Sequence, residues 1–366
     1  MTTAVRQMTL AVLCFAACGL LRAQTTAAPA ALSKAISRPP IKARLLLRVG
    51  DKDGVLSSEV TLLGRDANVL LAQDNQSGTG MSRVDKTRVV RCEFTLDFDR
   101  SAVGAALRNS DWAAAVRTLA PTIRLALPYL DLADNNGFDL AMDYGMYMVA
   151  SADREIRTST NETSRARALK QYEAAYEVFS YAGKADWTPL GQVAVLKGCR
   201  ALIAQGKSRQ ATDLFDEITA PDPGDATYGH YWLVQAELLR HAGKTREALE
   251  AVVKSVVFAD KDVETFPDAL LLSADCYAKL GSHHRARDLY YEVAVLFTGT
   301  DWAAEALTGL AAIIDGKKTL EQEKAPLENV FFNVSDDMNK LSEELLLKTR
   351  PKAKTKAGEA DEKKDS

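Results

Sequence analysis

Few residues in this chain have the type and spacing that chemistry needs. His283 and His284 are adjacent, follow Gly281, and have no third ligand nearby in sequence, so solvated side chains are expected there rather than a metal site. Asp134-Asn135-Asn136-Gly137 has the composition of a calcium loop, but its first ligand position falls on Leu132, which cannot coordinate. A turn before a helix is expected instead. Asp97 and Asp99 alternate along a predicted strand end and could face one side as a general acid–base pair, but nothing enzyme-like surrounds them, and a solvated strand end is expected. The sequence contains no Gly-rich phosphate loop, no Gly-x-Ser-x-Gly and no His-Glu-x-x-His. The reading is therefore of a non-enzyme with no catalytic residues, no cofactor and no metal.

The elements that would position any functional group are three copies of one helical hairpin within residues 192–302. The stretches 193–218, 230–255 and 268–293 align with Gly206, Gly243 and Gly281 in one register, 37 and 38 residues apart. A period of that length marks stacked repeats. Seven residues before each glycine stands a small residue (Cys199, Ala236, Ala274), and five after it an alanine (Ala211, Ala248, Ala286). Leu202, Leu239 and Tyr277 follow the first set; Phe215, Val252 and Tyr290 follow the second and would fill the space between helices. Glycine ends a helix in the left-handed conformation without a Cβ clash. The small residues let antiparallel helices approach, and apolar positions at three and four make both segments amphipathic.

A small residue, a helix-ending glycine and a second small residue in this order resemble the tetratricopeptide repeat. Pro223 ends the first copy, where that family favours proline, although the spacing exceeds the family's usual period of about 34 residues. The resemblance implies a mostly α chain built as an antiparallel helical-hairpin solenoid. It also implies a concave face, lined by the first helix of each hairpin, that receives a peptide or protein partner. Mapped onto this chain, that face holds Arg200 in the first copy, His230, Glu237 and Arg240 in the second, and Asp268 and Asp275 in the third. These groups would grip a partner through charge-assisted hydrogen bonds.

Residues 1–23 read as an export signal, with Arg6 before an apolar run over 8–21 and a cleavage point at Ala23-Gln24. A second reading stays open, because Phe15-Ala16-Ala17-Cys18 resembles a bacterial lipobox, in which Cys18 would carry a lipid and tether the protein to a membrane. A third is an uncleaved anchor. Residues 24–41 are rich in Ala, Thr, Ser and Pro and read as a flexible linker.

Residues 42–98 carry β-prone runs at 43–49, 59–63, 68–72 and 88–96, separated by turn chemistry at 51–54, 64–66 and 77–80. Four or five strands in so short a span predict a small all-β barrel or sandwich, and their rhythm resembles SH3-like or Sm-like barrels. Residues 101–315 read as helical repeats. In 110–116 (SDWAAAV), Ser110 stands where the glycine of a degenerate corner would be. Pro121 and Pro128 are expected to break the pattern; helices are expected over 139–156 and 165–181, and 302–315 is expected to cap the array. Residues 316–348 are expected to add a helical extension, and 349–366, almost all charged residues and alanine, a disordered tail.

With 366 residues and 47% hydrophobic content the chain can bury an extended core plus a small domain. Its net charge of −3 gives no electrostatic case for nucleic acid. Of five cysteines, Cys14 and Cys18 lie in the signal, and Cys92, Cys199 and Cys276 are expected as buried thiols. The functional expectation is a scaffold of the bacterial cell envelope, exported to the periplasm, that binds a protein partner. The alternative is a structural component that self-associates into a homo-oligomer through its repeats.

Overall fold

The structure, a computed structural model, describes residues 39–315 apart from 50–53, 76–79, 160 and 259–263. The signal, the linker up to residue 38, the extension 316–348 and the tail 349–366 lie outside the described residues. Within them the chain is mostly helical, with a small N-terminal antiparallel sheet.

The sheet has five strands: β1 (Ile41–Val49), β2 (Gly54–Arg65), β3 (Val69–Asp74), β4 (Met81–Asp85) and β5 (Val89–Phe94). Their order is β4-β3-β2-β1-β5, a meander whose last strand returns beside the first, with Ala43 opposite Phe94. Sequence reading placed four of these strands and missed β4, whose only buried side chain is Val84. On β1 the residues Ile41, Ala43, Leu45 and Leu47 face the core while Lys42 and Arg44 face water, the period of two that a half-buried strand requires. The core side is covered by the following helical segment, as Ala126, Tyr129 and Leu132 pack into the strand cluster.

Two further devices lock sheet to helices. The Asn136 side chain behaves as a strand fragment: its Oδ1 accepts from Phe94 N at 2.8 Å and its Nδ2 donates to Phe94 O at 3.0 Å. Asp131, nearly buried, accepts from both Arg65 on β2 and Lys86 just after β4; Lys86 Nζ lies at 2.7 Å. The Arg65 guanidinium also donates to Pro128 O at 2.8 Å. The stretch read as a turn before a helix is one. Asn135 ties it shut by donating to Leu130 O and Leu132 O and accepting from Gly137 N.

Eleven helices follow: α1 (Arg100–Arg108), α2 (Trp112–Ala126), α3 (Gly137–Thr158), α4 (Glu162–Ala182), α5 (Leu190–Ala204), α6 (Ser208–Phe215), α7 (Tyr228–His241), α8 (Thr245–Phe258), α9 (Phe266–Lys279), α10 (His283–Leu296) and α11 (Asp301–Asp315). They pair as antiparallel hairpins, α1–α2 through α9–α10, and α11 is the last helix among the described residues. Asp97 and Asp99 are not an acid–base pair at a strand end. β5 stops at Phe94, and Asp99 accepts from Ala102 N as the N-cap of α1. Pro121 does not break α2. It sits on an exposed side of the helix, where the carbonyl it leaves without a donor, that of exposed Arg117, can meet water, while Ala115, Leu119 and Ile123 are fully buried on the other side. Pro128 lies in a short 3-10 turn, Leu127–Tyr129, after α2.

The hairpin corners are built alike. Gly206, Gly243 and Gly281 have φ of 77°, 77° and 82°, and Ser110 takes the same left-handed conformation at 53°. At each corner two bonds close the helix end: Lys207, Lys244, Ser282 and Asp111 donate across the turn to Leu202, Leu239, Tyr277 and Ala106 at 2.8–2.9 Å, and Gly206, Gly243, Gly281 and Ser110 donate to Ile203, Arg240, Ala278 and Leu107 at 2.9–3.1 Å. The alanines five residues on, Ala115, Ala211, Ala248 and Ala286, are all fully buried. No atom lies within 4 Å of a Cβ added at the three glycines, so a side chain there meets backbone strain and nothing else. Each Gly→Ala change should therefore cost about 1–2 kcal/mol, and Ser110→Gly should gain about 1 kcal/mol, read as opposite shifts in the denaturation midpoint.

Apolar clusters join each hairpin to the next. Leu196, Leu202, Phe215, Tyr231 and Val234 link α5, α6 and α7; Leu233, Ala248, Val252, Leu272 and Cys276 link α7, α8 and α9. Cys92, Cys199 and Cys276 are buried free thiols, as expected of small residues filling tight contacts. The first helices α5, α7, α9 and α11 touch one another in series, whereas the main contacts of α6, α8 and α10 are with first helices. The first helices thus form one layer, and the second helices lie behind it.

Candidate functional site

Charged side chains from five helices converge on the face of the first-helix layer. Arg200 on α5 is the hub. Its Nε donates to Glu237 Oε1 on α7 at 3.0 Å, and its Nη2 lies 2.7 Å from Asp268 Oδ2 on α9. One side chain therefore links α5 with both α7 and α9. Arg240 on α7 donates to Asp275 Oδ2 on α9 at 3.1 Å. Five of the six residues that sequence reading assigned to a groove are thus brought together, in mutual pairs.

His230 is placed differently. It is buried near the start of α7, with Nε2 3.5 Å from Glu264 Oε2, and the same carboxylate oxygen accepts from Lys197 on α5. It therefore lies at the Lys197–Glu264 pair.

Sequence reading missed more than half of the cluster. Tyr290, read only as a space filler, donates from its hydroxyl to Asp275 Oδ1 at 2.6 Å. Trp302 Nε1 donates to Asp268 Oδ1 at 2.6 Å. Gly309 on α11 makes room for the Tyr290 ring, since a Cβ there would stand 2.5 Å from it. On α3, Asp153 accepts from the Tyr172 hydroxyl of α4. Arg154 and Arg157 of α3 reach Asp301 and Glu305 of α11 at 3.1–3.4 Å. Pairs such as Arg154/Arg157 and Asp301/Glu305 are spaced by one helical turn, the one signal that could have marked them.

The electrostatics follow from burial within an acid-rich surface. Burial pushes the Glu237 carboxyl up despite the opposing Arg200 charge. Burial raises Asp153 too, against the Tyr172 hydrogen bond and the charges of Arg157 and Arg200. Glu305 is raised by burial and then by Asp268, Asp275 and Asp153, with Arg157 opposing. Asp143 is raised by burial, then by Asp139 and Glu264. Burial alone would lower Arg200, but Asp268 and Glu237 outweigh it and hold the guanidinium charged.

Side-chain exposure at the hub is intermediate: 28% for Arg200, 14% for Glu237 and 22% for Asp268. The groups are shielded enough for their charges to matter and open enough for a partner to reach. Among the described residues no group of three or more His, Cys, Asp or Glu side chains is arranged to hold a metal ion, and no helix is long and apolar enough to cross a membrane.

No known family model matches this sequence, and no curated protein matches it.

Proposed function

We propose that the chain is a non-enzymatic interaction scaffold: a tetratricopeptide-like solenoid whose charged inner face recognises a protein or peptide partner, preceded by an SH3-like β-domain that offers a second docking surface. The convergence of charges from α3, α5, α7, α9 and α11 onto one face carries this reading. The repeated left-handed corners with buried alanines support the repeat assignment. The β4-β3-β2-β1-β5 order, with a 3-10 turn (Lys86–Arg88) between β4 and β5, supports the SH3-like reading. Recognition would proceed by exchange, with a partner's charged groups replacing part of the internal pairing of Arg200, Glu237, Arg240, Asp268 and Asp275. Residues 1–23, read as an export signal with Cys18 as the alternative lipid site, support a location in the cell envelope.

Self-association is a second reading, favoured by exposed apolar side chains on the second-helix layer: Val253, Val257 and Phe258 on α8, and Val295 and Leu296 on α10. Affinity capture from a native envelope fraction separates the two. We expect the wild type to retain one heterologous protein and an Arg240→Glu variant of unchanged helical signal to lose it at least tenfold. Capture of the chain by itself alone, with concentration-dependent sedimentation, would favour self-assembly; heterologous capture unchanged in the variant would remove the inner face from the account.

A further inference from the structure

We propose that Arg154 and Arg157 on α3, with Asp301 and Glu305 on α11, form an ionic clasp that holds α3 against α11 and opens reversibly in salt. The inference does not depend on any partner for the inner face.

The clasp joins residues 147 and 148 apart in sequence. Arg154 Nη2 lies 3.1 Å from Asp301 Oδ1, Arg157 Nη2 3.3 Å from Asp301 Oδ2, and Arg157 Nη1 3.4 Å from Glu305 Oε2. Each helix presents its pair one turn apart, so the two cations and two anions meet as matched rows. Arg154 is anchored at its other end, donating to the Ser110 carbonyl at the left-handed corner of α1–α2. The clasp thereby fastens the corner of α1–α2, α3 and α11 at one point.

Its composition sets it apart from the junctions of α5 with α7 and of α7 with α9, where the ion pairs on the face are backed by buried apolar clusters. The apolar cluster that holds α3 reaches α1, α2, α4 and α5, and contains no residue of α11. The four clasp side chains keep between 32% and 52% of their surface exposed. Exposed pairs of this kind are individually weak. Water and salt reach them, and the Debye length falls from about 10 Å at 0.1 M to about 3 Å at 1 M salt. The apolar junctions strengthen or hold under the same conditions. Salt therefore loosens this junction selectively.

The test is a distance across the junction. Thr158 and Thr308 are exposed on α3 and α11, and the native cysteines among the described residues are buried. Spin labels on Thr158→Cys and Thr308→Cys in the otherwise native chain would report the separation by pulsed electron spin resonance. At low salt a single narrow distance is expected. Raising salt towards 1 M should broaden the distribution and lengthen its mean, with the helical circular dichroism unchanged. Arg154→Glu with Arg157→Glu should produce the open distribution at low salt, and adding Asp301→Arg with Glu305→Arg should restore the short one.

A distance indifferent to salt in the native-charge chain would overturn the proposal, even if the variants fail to fold. So would an open distribution that the four-fold exchange does not close, which would mean that packing rather than charge sets the gap.

Discussion

Replacing Asp131 with alanine is expected to destabilise the protein by about 3 kcal/mol, the lower end of the cost of leaving buried charges unpaired, because Arg65 and Lys86 are only partly buried. Asp131 keeps only 9% of its surface, and Arg65 and Lys86 converge on it from two parts of the sheet. Burial works to raise its pKa, but hydrogen bonds from Arg65 and Lys86 and their charges outweigh that and hold the carboxyl below its ordinary value. A carboxyl lowered on folding contributes stability above its unfolded value of about 4, and that contribution disappears as pH falls through the folded value. The gap between wild type and Asp131→Asn should therefore be wide at neutral pH and narrow in acid. Urea denaturation at a series of pH values measures it. A gap independent of pH would show that Asp131 acts through packing alone.

Arg200→Met is the second large effect, at about 3 kcal/mol, the lower end for breaking a buried ion pair because the side chain is partly exposed. Methionine keeps the apolar stem and deletes the charge between Glu237 and Asp268, with Asp153 nearby. Here the pH sign is opposite to that at Asp131. Glu237 and Asp153 are raised in the folded protein, so their contribution is fully present below the ordinary carboxylate value of about 4 and is lost as pH rises through the folded values. The variant, lacking the cation that opposes these shifts, should be most deficient near neutral pH and recover on mild acidification. A deficit that grows in acid would contradict the charge network described for the inner face.

The corners were legible in the sequence because they are local. A left-handed backbone position demands glycine, and the neighbouring close approach demands alanine, so Gly206, Gly243 and Gly281 could be aligned by eye; Ser110 was recognisable from Asp111-Trp112-Ala113 around it. The charged residues on α5, α7 and α9 were named only by mapping the face that the tetratricopeptide resemblance implies onto the first helices. What they do to one another was not legible. Whether Arg200 faces solvent or reaches Asp268 depends on the curvature summed over three hairpins, and no local pattern carries that sum. The meeting of Arg154 with Asp301 lies further beyond reach for the same reason. At the sheet, β4 escaped because its only buried side chain is Val84, and the Asn136–Phe94 pairing escaped because an asparagine in a turn looks alike whether it caps a helix or extends a strand.

The claim that the inner face is the recognition surface is tested most directly by site-specific photo-crosslinking. A photoreactive residue would replace Arg240, on the charged face, or Glu250, exposed on α8, and each chain would be irradiated in its native cells. The account predicts one defined heterologous adduct from position 240 and none from position 250. The same adduct from both positions, or from position 250 alone, would contradict it.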